Sequence, residues 1–205
     1  MRTLILSTIM SAIALVLLSA CGSTQPSRFY VLNSLPAPEE GGTVTPAPDL
    51  TLGIGPVNLP KMLDRPQIVT RSGANQIDLS EPNRWAEPLD YNFTRMLGEN
   101  LSRLLGTDRI IYFPWNISTR IDYQVSVEVI KFETLENGNA RLRARWTINR
   151  DRSPLAMRTS DITRSVTGSG YAPIVAAQSR TLDDLSQEIA AAIRSFAHGS
   201  HPGAR

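Results

Sequence analysis

The chain has one cysteine, Cys21, and two histidines, His198 and His201, in 205 residues. A lone cysteine excludes an internal disulfide, so the fold must hold by packing alone. Both histidines fall in a polar C-terminal stretch where no second group can orient them for acid–base work. Metal-ligand spacings and phosphate-cradling glycine loops are absent. The serines show neither a Gly-x-Ser-x-Gly elbow nor a triad arrangement, and Asp183-Asp184 reads as an acidic pair at a helix start. The sequence therefore predicts no enzyme, no metal site and no cofactor. Charge of one sign is lacking too: a formal net charge of +2 gives no strong pull toward nucleic acid. No internal repeat is present. The apolar run of residues 4–18 is about fifteen residues long, short of the roughly twenty that a membrane span needs.

That run nevertheless has a clear character. Arg2 precedes it and small residues close it, the pattern of a secretory signal. The closing order Leu18-Ser19-Ala20-Cys21 resembles the bacterial lipobox. The resemblance implies a diacylglyceryl group on Cys21, cleavage before it, and acylation of the new amino terminus. Several acyl chains, at roughly 0.8 kcal/mol per buried methylene, hold a protein on a bilayer far more firmly than one. A lipidated Cys21 is also no thiol nucleophile. The competing readings are a soluble secreted protein and an uncleaved anchor. Gly22 and Ser23 stand where lipoproteins retained at the inner membrane carry Asp, so the sorting rule implies the outer membrane, with the domain in the periplasm. Residues 1–20 then form the signal peptide, 21–27 a lipidated tether, 28–197 one periplasmic domain and 198–205 a flexible tail. Removing the signal leaves roughly 185 residues, enough to bury about 70% of the unfolded surface.

Along the domain, residues 28–32 read as a first strand, rich in aromatic and β-branched side chains. Residues 36–48, with four prolines and Gly41-Gly42, read as a loop. Residues 50–57 form a second strand, and 66–71 with 76–79 a hairpin around residues 72–75. A helix starts with Pro88 at its first position and repeats Leu89, Phe93, Met96, Leu97, Leu101 and Leu105 at helical spacing up to Gly106. Residues 110–113 read as a short buried strand. Tyr123, Val125, Val127 and Val129 alternate with polar residues, as do Ala140, Leu142, Ala144, Trp146 and Ile148, with Asn137-Gly138 between them. A two-residue turn there predicts Val129 opposite Trp146 and Val127 opposite Ile148, with Arg143 facing Phe132 and Arg145 facing Ile130. Residues 157–166 add a third meander strand. Leu182, Leu185, Ile189, Ile193 and Phe196 mark a terminal helix, and residues 171–179 are helical too, either continuous with it or kinked against it. The sum is a single α/β domain: a mixed, partly antiparallel sheet packed by a mid-chain helix and a C-terminal helical segment.

Two stretches carry a more specific likeness. Leu59-Pro60-Lys61-Met62-Leu63-Asp64-Arg65-Pro66-Gln67-Ile68-Val69-Thr70-Arg71 and Arg84-Trp85-Ala86-Glu87-Pro88-Leu89 resemble the PqiC/YmbA-like family. Its members are auxiliary lipoproteins of ABC-type and MCE-type transport systems in Gram-negative bacteria. The Phe29-Tyr30-Val31-Leu32 start and the Ala-rich last helix fit the same pattern, and the likeness spans nearly all of the mature chain; Met62 departs from it, where an aromatic residue is more usual. Neither motif is catalytic. The resemblance implies lipid trafficking and envelope integrity, with an MCE-domain protein and an inner-membrane transport subunit as partners, and symmetric docking that favours a homo-oligomer. The rival function is a scaffold lipoprotein of a secretion or envelope-assembly machine.

Leu59, Pro60, Asp64, Arg65, Pro66, Arg71, Arg84, Trp85 and Glu87 are the candidate partner-binding residues. Each also has a structural reading. Pro60 and Pro66 stiffen the chain around Asp64-Arg65, which can cap a turn. Trp85 can sit over the core, with Glu87 favoured at the helix N-terminus. Trp115 is either an exposed anchor or a core residue. Arg141, Arg143 and Arg145 line one strand face, as a patch for anionic head groups or an acidic partner, or as a solvated face whose stems cover apolar neighbours.

Overall fold

The computed structural model describes residues 25–36 and 49–199. Cys21 with its signal, the loop expected within 36–48 beyond Pro36, and the tail beyond residue 199 lie outside the described residues.

Alternation of apolar and polar residues builds the centre of the molecule. Strands β6 (Tyr123–Thr134), β7 (Asn139–Arg150) and β8 (Ser153–Ser165) form an antiparallel meander. Strand β2 (Leu52–Asn58) runs parallel to β6 on one side and to β5 (Ile110–Tyr112) on the other, completing a sheet of order β5-β2-β6-β7-β8. Parallel neighbours need a crossover. Helix α1 (Leu89–Leu105) lies on the path from β2 to β5, and α2 (Tyr171–Gly199) closes the chain. Between β2 and α1 the chain makes β3 (Gln67–Gly73) and β4 (Gln76–Trp85), and β1 (Arg28–Tyr30) pairs parallel with β4 to give a second sheet, β1-β4-β3. The expected α/β class and mixed sheet are what the chain adopts, with this smaller sheet in addition.

One core joins all the layers. Phe93, Leu97 and Leu101 of α1, Leu182, Leu185 and Ile189 of α2, and Val125, Leu142 and Trp146 of the larger sheet are buried together with Ile68 and Trp85 of the smaller. Phe93 meets Phe132 edge to face, ring centres 5.6 Å apart, a geometry that suits the ring quadrupoles. Burying side chains of this size stabilises by about 1.5–3 kcal/mol each.

Several local expectations shift. Pro88 caps α1 rather than opening it, and Gly106 ends it in the left-handed region at φ 65°. The β6–β7 loop has three residues, because Gly138 (φ 73°) donates its N–H to the Leu135 carbonyl while the Leu135 N–H reaches Asn139. A bulge at Ile130 then moves the register again, so Val129 lies opposite Ala144 and Val127 opposite Trp146. The inserted residue reverses which side chains face inward. Phe132 is therefore a core residue, and Glu128 rather than Ile130 faces Arg145. Residues 110–113 form no buried strand: β5 is a sheet edge, with Tyr112 and Phe113 exposed. The terminal helix is one unbroken rod that includes residues 171–179 and runs on past His198.

β1 stops at Tyr30 for a definite reason. The N–H of Leu32 goes to Asn92 Oδ1 at 2.7 Å, and that of Leu35 to Asn100 Oδ1 at 2.7 Å. Two asparagines on the inner side of α1 thus take over the backbone donors that a strand partner would otherwise satisfy.

A candidate docking groove at the end of β2

The two motif stretches meet because the backbone ties them together. After β2 the chain makes one 3-10 turn, Lys61–Leu63, closed by the Leu63 N–H on the Pro60 carbonyl at 2.9 Å. Pro66 follows, and its carbonyl accepts the Trp85 N–H at 2.7 Å. Between this turn and the start of α1 lies a groove of about 580 Å³. Leu63, Trp85 and Leu89 are the buried residues along it, while Lys61, Asp64, Arg65 and Ala86 stand exposed at its edges.

Of the nine candidates, six line this groove: Leu59, Asp64, Arg65, Pro66, Trp85 and Glu87. Pro60 and Arg71 instead border a separate cavity of about 50 Å³ beside Phe132. Arg71 there holds Glu133 at 2.8 Å, a half-buried ion pair joining the two sheets. Arg84 is turned onto Glu81, bonding its carbonyl at 2.8 Å and its carboxylate at 3.1 Å. Glu87 lies in the groove but is engaged by side chains of α1: Asn92 Nδ2 and the Arg95 guanidinium each donate to Oε1 at 2.6 Å. The Arg95 guanidinium, which also meets Glu99, is held firmly in its charged form by that hydrogen bond to Glu87. Asp64 pairs loosely with Lys61 at 3.7 Å across open surface. Arg65 is the cation of the groove with no side-chain partner among the described residues.

A second groove of about 550 Å³ adjoins the first, sharing Val57, Asn58 and Asp90 with it. Its distinctive residues are Tyr91, Tyr112 and Phe113, of which Tyr91 is 61% and Phe113 53% exposed. Phe113 rests on Gly55, where an added Cβ would come within 2.7 Å of the Phe113 Cβ. Gly98 of α1 likewise makes room for the Tyr112 ring. Trp115, half-buried, meets Phe113 edge to face at 5.4 Å. Sequence reasoning missed this aromatic row. The available signal was Tyr91, a large aromatic on the side of α1 that the helical spacing sends outward.

The arginines of β7 form no free patch. Arg141 makes a two-pronged bond to Asp161 at 2.7 and 2.6 Å, Arg143 approaches the same carboxylate at 3.9 Å, and Arg145 bonds Glu128 at 2.9 Å. Arg141 holds the Asp161 carboxyl below its ordinary pKa. Asp184 pairs with Arg164 at 2.6 Å, and Asp183 accepts from Asn100 at 3.0 Å. Among the described residues no three His, Cys, Asp or Glu side chains come together as metal ligands would.

The comparisons agree with this architecture. The model of the family described as the ABC-type transport auxiliary lipoprotein component matches residues 30–190. No curated protein matches the chain. A crystal structure of an uncharacterized protein superposes with a TM-score of 0.65 at 19% identity, covering 82% of this chain and 99% of that one. A Xanthomonas campestris protein of the DUF330 family superposes with a TM-score of 0.62 at 16% identity, over 80% of this chain and 93% of its own. At such identities the likeness is one of fold.

Proposed function

Since this chain belongs to the ABC-type transport auxiliary lipoprotein family, we propose that it is the outer-membrane-anchored, non-enzymatic subunit of an MCE-type lipid transport system. Lipid on Cys21 holds it to the inner leaflet of the outer membrane, with the domain in the periplasm. The double groove beside β2 receives the far end of a periplasm-spanning MCE assembly. The observation that carries this reading is that Arg65 lies in one groove, floored by Trp85 and Leu89, and Tyr91 and Phe113 in a second that adjoins it through Val57, Asn58 and Asp90. A free arginine beside exposed aromatics on a rigid base is the composition of an interface hot spot. The family is a transport component, not an enzyme family, and the site has no nucleophile–base pair to suggest otherwise. Docking on a symmetric assembly favours several copies of this chain acting together.

The test is a native pull-down of the full-length lipoprotein from envelope membranes, with partners identified by mass spectrometry. The reading expects an MCE-domain protein, reduced at least fivefold by Arg65→Glu combined with Tyr91→Ser. Recovery of only secretion or envelope-assembly components would overturn it in favour of a scaffold.

A further inference from the structure

A large cavity lies at the opposite end of the larger sheet from the docking groove. It holds about 1010 Å³ and is bordered by Leu50 and Tyr123, where β2 and β6 begin, whereas the groove lies where β2 ends. Three arginines line it: Arg120 from the loop before β6, Arg150 from the end of β7, and Arg152 from the β7–β8 turn. Two carboxylates, Asp122 and Asp151, also line it, and Asp122 is already bonded to the Thr51 N–H at 2.7 Å. The lining therefore carries net positive charge. Arg150 lies over the Tyr123 ring, 4.4 Å from its centre. Arg120 and Arg152 have no side-chain partner among the described residues, in contrast to Arg141, Arg145 and Arg164, which all hold carboxylates.

The turn that presents Arg152 is costly for an arginine. Arg150 pairs with Ser153, which leaves Asp151 (φ 48°) and Arg152 (φ 65°) as a two-residue loop with both residues left-handed. Such turns favour Asn-Gly or Asp-Gly, and apart from glycine only Asn and Asp visit that region readily. Backbone preference accounts for Asp151 but not for Arg152; the guanidinium at the cavity does. The remaining wall is mixed: Ser118, Thr119, Gln124 and Asn149 are polar, and apolar side chains gather on one loop. Trp115, Ile117 and Ile121 come from the same loop as Arg120, and Ile117 is 83% exposed.

We propose that this cavity binds a phosphoryl-bearing amphiphile, with the phosphoryl group between Arg120 and Arg152 and hydrocarbon against Trp115, Ile117 and Ile121. Arginine matches phosphoryl oxygens in charge and geometry, and the apolar side chains of that loop, beside the cations, favour a ligand with both parts over a bare anion. The volume suits a head group with the first part of a chain. None of the docking-groove residues takes part, so either site can fail without the other.

Calorimetric titration of the purified full-length protein in a non-ionic detergent tests the proposal. The probes are dihexanoyl phosphatidylglycerol below its micelle concentration, dihexanoyl glycerol, which lacks the phosphoryl group, and inorganic phosphate. Saturable binding of the phospholipid is expected, at least tenfold tighter than either of the other two. Arg120→Gln and Arg152→Gly should each weaken it at least fivefold. The second variant suits the turn's backbone better than the native residue, so its loss of binding is no failure to fold. Ile117→Ser should weaken the phospholipid and leave phosphate unchanged. Phosphate bound as tightly as the phospholipid would overturn the amphiphile and leave a simple anion site. Absence of saturable binding, or affinity unchanged in both arginine variants, would overturn the site itself.

Discussion

The Trp85 amide donates to the Pro66 carbonyl at 2.7 Å, and this bond closes the two motif stretches into one groove. It also divides the motif residues by role. Trp85 is 5% exposed and belongs to the core, whereas Arg65, one residue before the bond's acceptor, is in solvent. Trp85→Ala should cost about 3–5 kcal/mol in urea denaturation, as large-to-small core changes do. Arg65→Glu should change stability by less than about 0.5 kcal/mol, as an exposed substitution does. If the two variants lost similar stability, the separation of floor from rim would be wrong.

Asn92 should prove as important as any apolar residue of α1. It is buried, accepts the Leu32 N–H and donates to Glu87. Asn92→Ala leaves both groups without that partner, and the expected loss is about 1–3 kcal/mol. Hydrogen exchange should show the Leu32 amide losing its protection while the amides of β6 and β7 keep theirs. Unchanged exchange at Leu32 would contradict the role given to Asn92.

Burial pushes the Asp183 carboxyl from its ordinary 3.8 up to about 6, against the opposing hydrogen bond from Asn100. The folded state therefore binds this proton more tightly than the unfolded chain does. Asp183 carries no penalty at pH values below about 4, and stability is lost as pH rises toward about 6 and the buried carboxyl ionises. Asp183→Asn keeps an oxygen acceptor for Asn100 and removes the charge. It should raise stability by about 1 kcal/mol at neutral pH, after discounting for the side chain's partial exposure, and leave it unchanged near pH 4. Thermal melts of both proteins across that range supply the comparison, and an equal gain at both ends would refute the assignment.

Periodicity made most of the fold legible. The alternation in β6 and β7 and the apolar spacing of α1 and α2 each depend on one element and the core it faces, so sequence alone reveals them. Register was less accessible. The Ile130 bulge shows in the sequence only as a change of phase, the apolar residues passing from odd positions up to Val129 to even ones at Ile130 and Phe132, yet it reverses the inner face and brings Phe132 inside. The smaller sheet was partly visible as a hairpin, but its third strand pairs Tyr30 with Trp85 across more than fifty residues, and no local signal announces that. The groove divides the same way. Its motif half could be quoted from the sequence, whereas Tyr91 and Phe113 join it only because β5 sits at the sheet edge beside the start of α1. Arg71, Arg84 and Glu87 looked available for a partner because their own partners, Glu133, Glu81 and Arg95, become evident only once the chain has folded.

Site-specific photo-crosslinking in intact envelopes tests the central claim most directly. A photoreactive residue is placed at Arg65 or Tyr91 in the groove, and at Thr163 on the exposed outer face of β8 as the reference position. The account predicts that both groove positions capture an MCE-domain protein and that Thr163 does not. Capture from Thr163 with none from Arg65 or Tyr91 would contradict it.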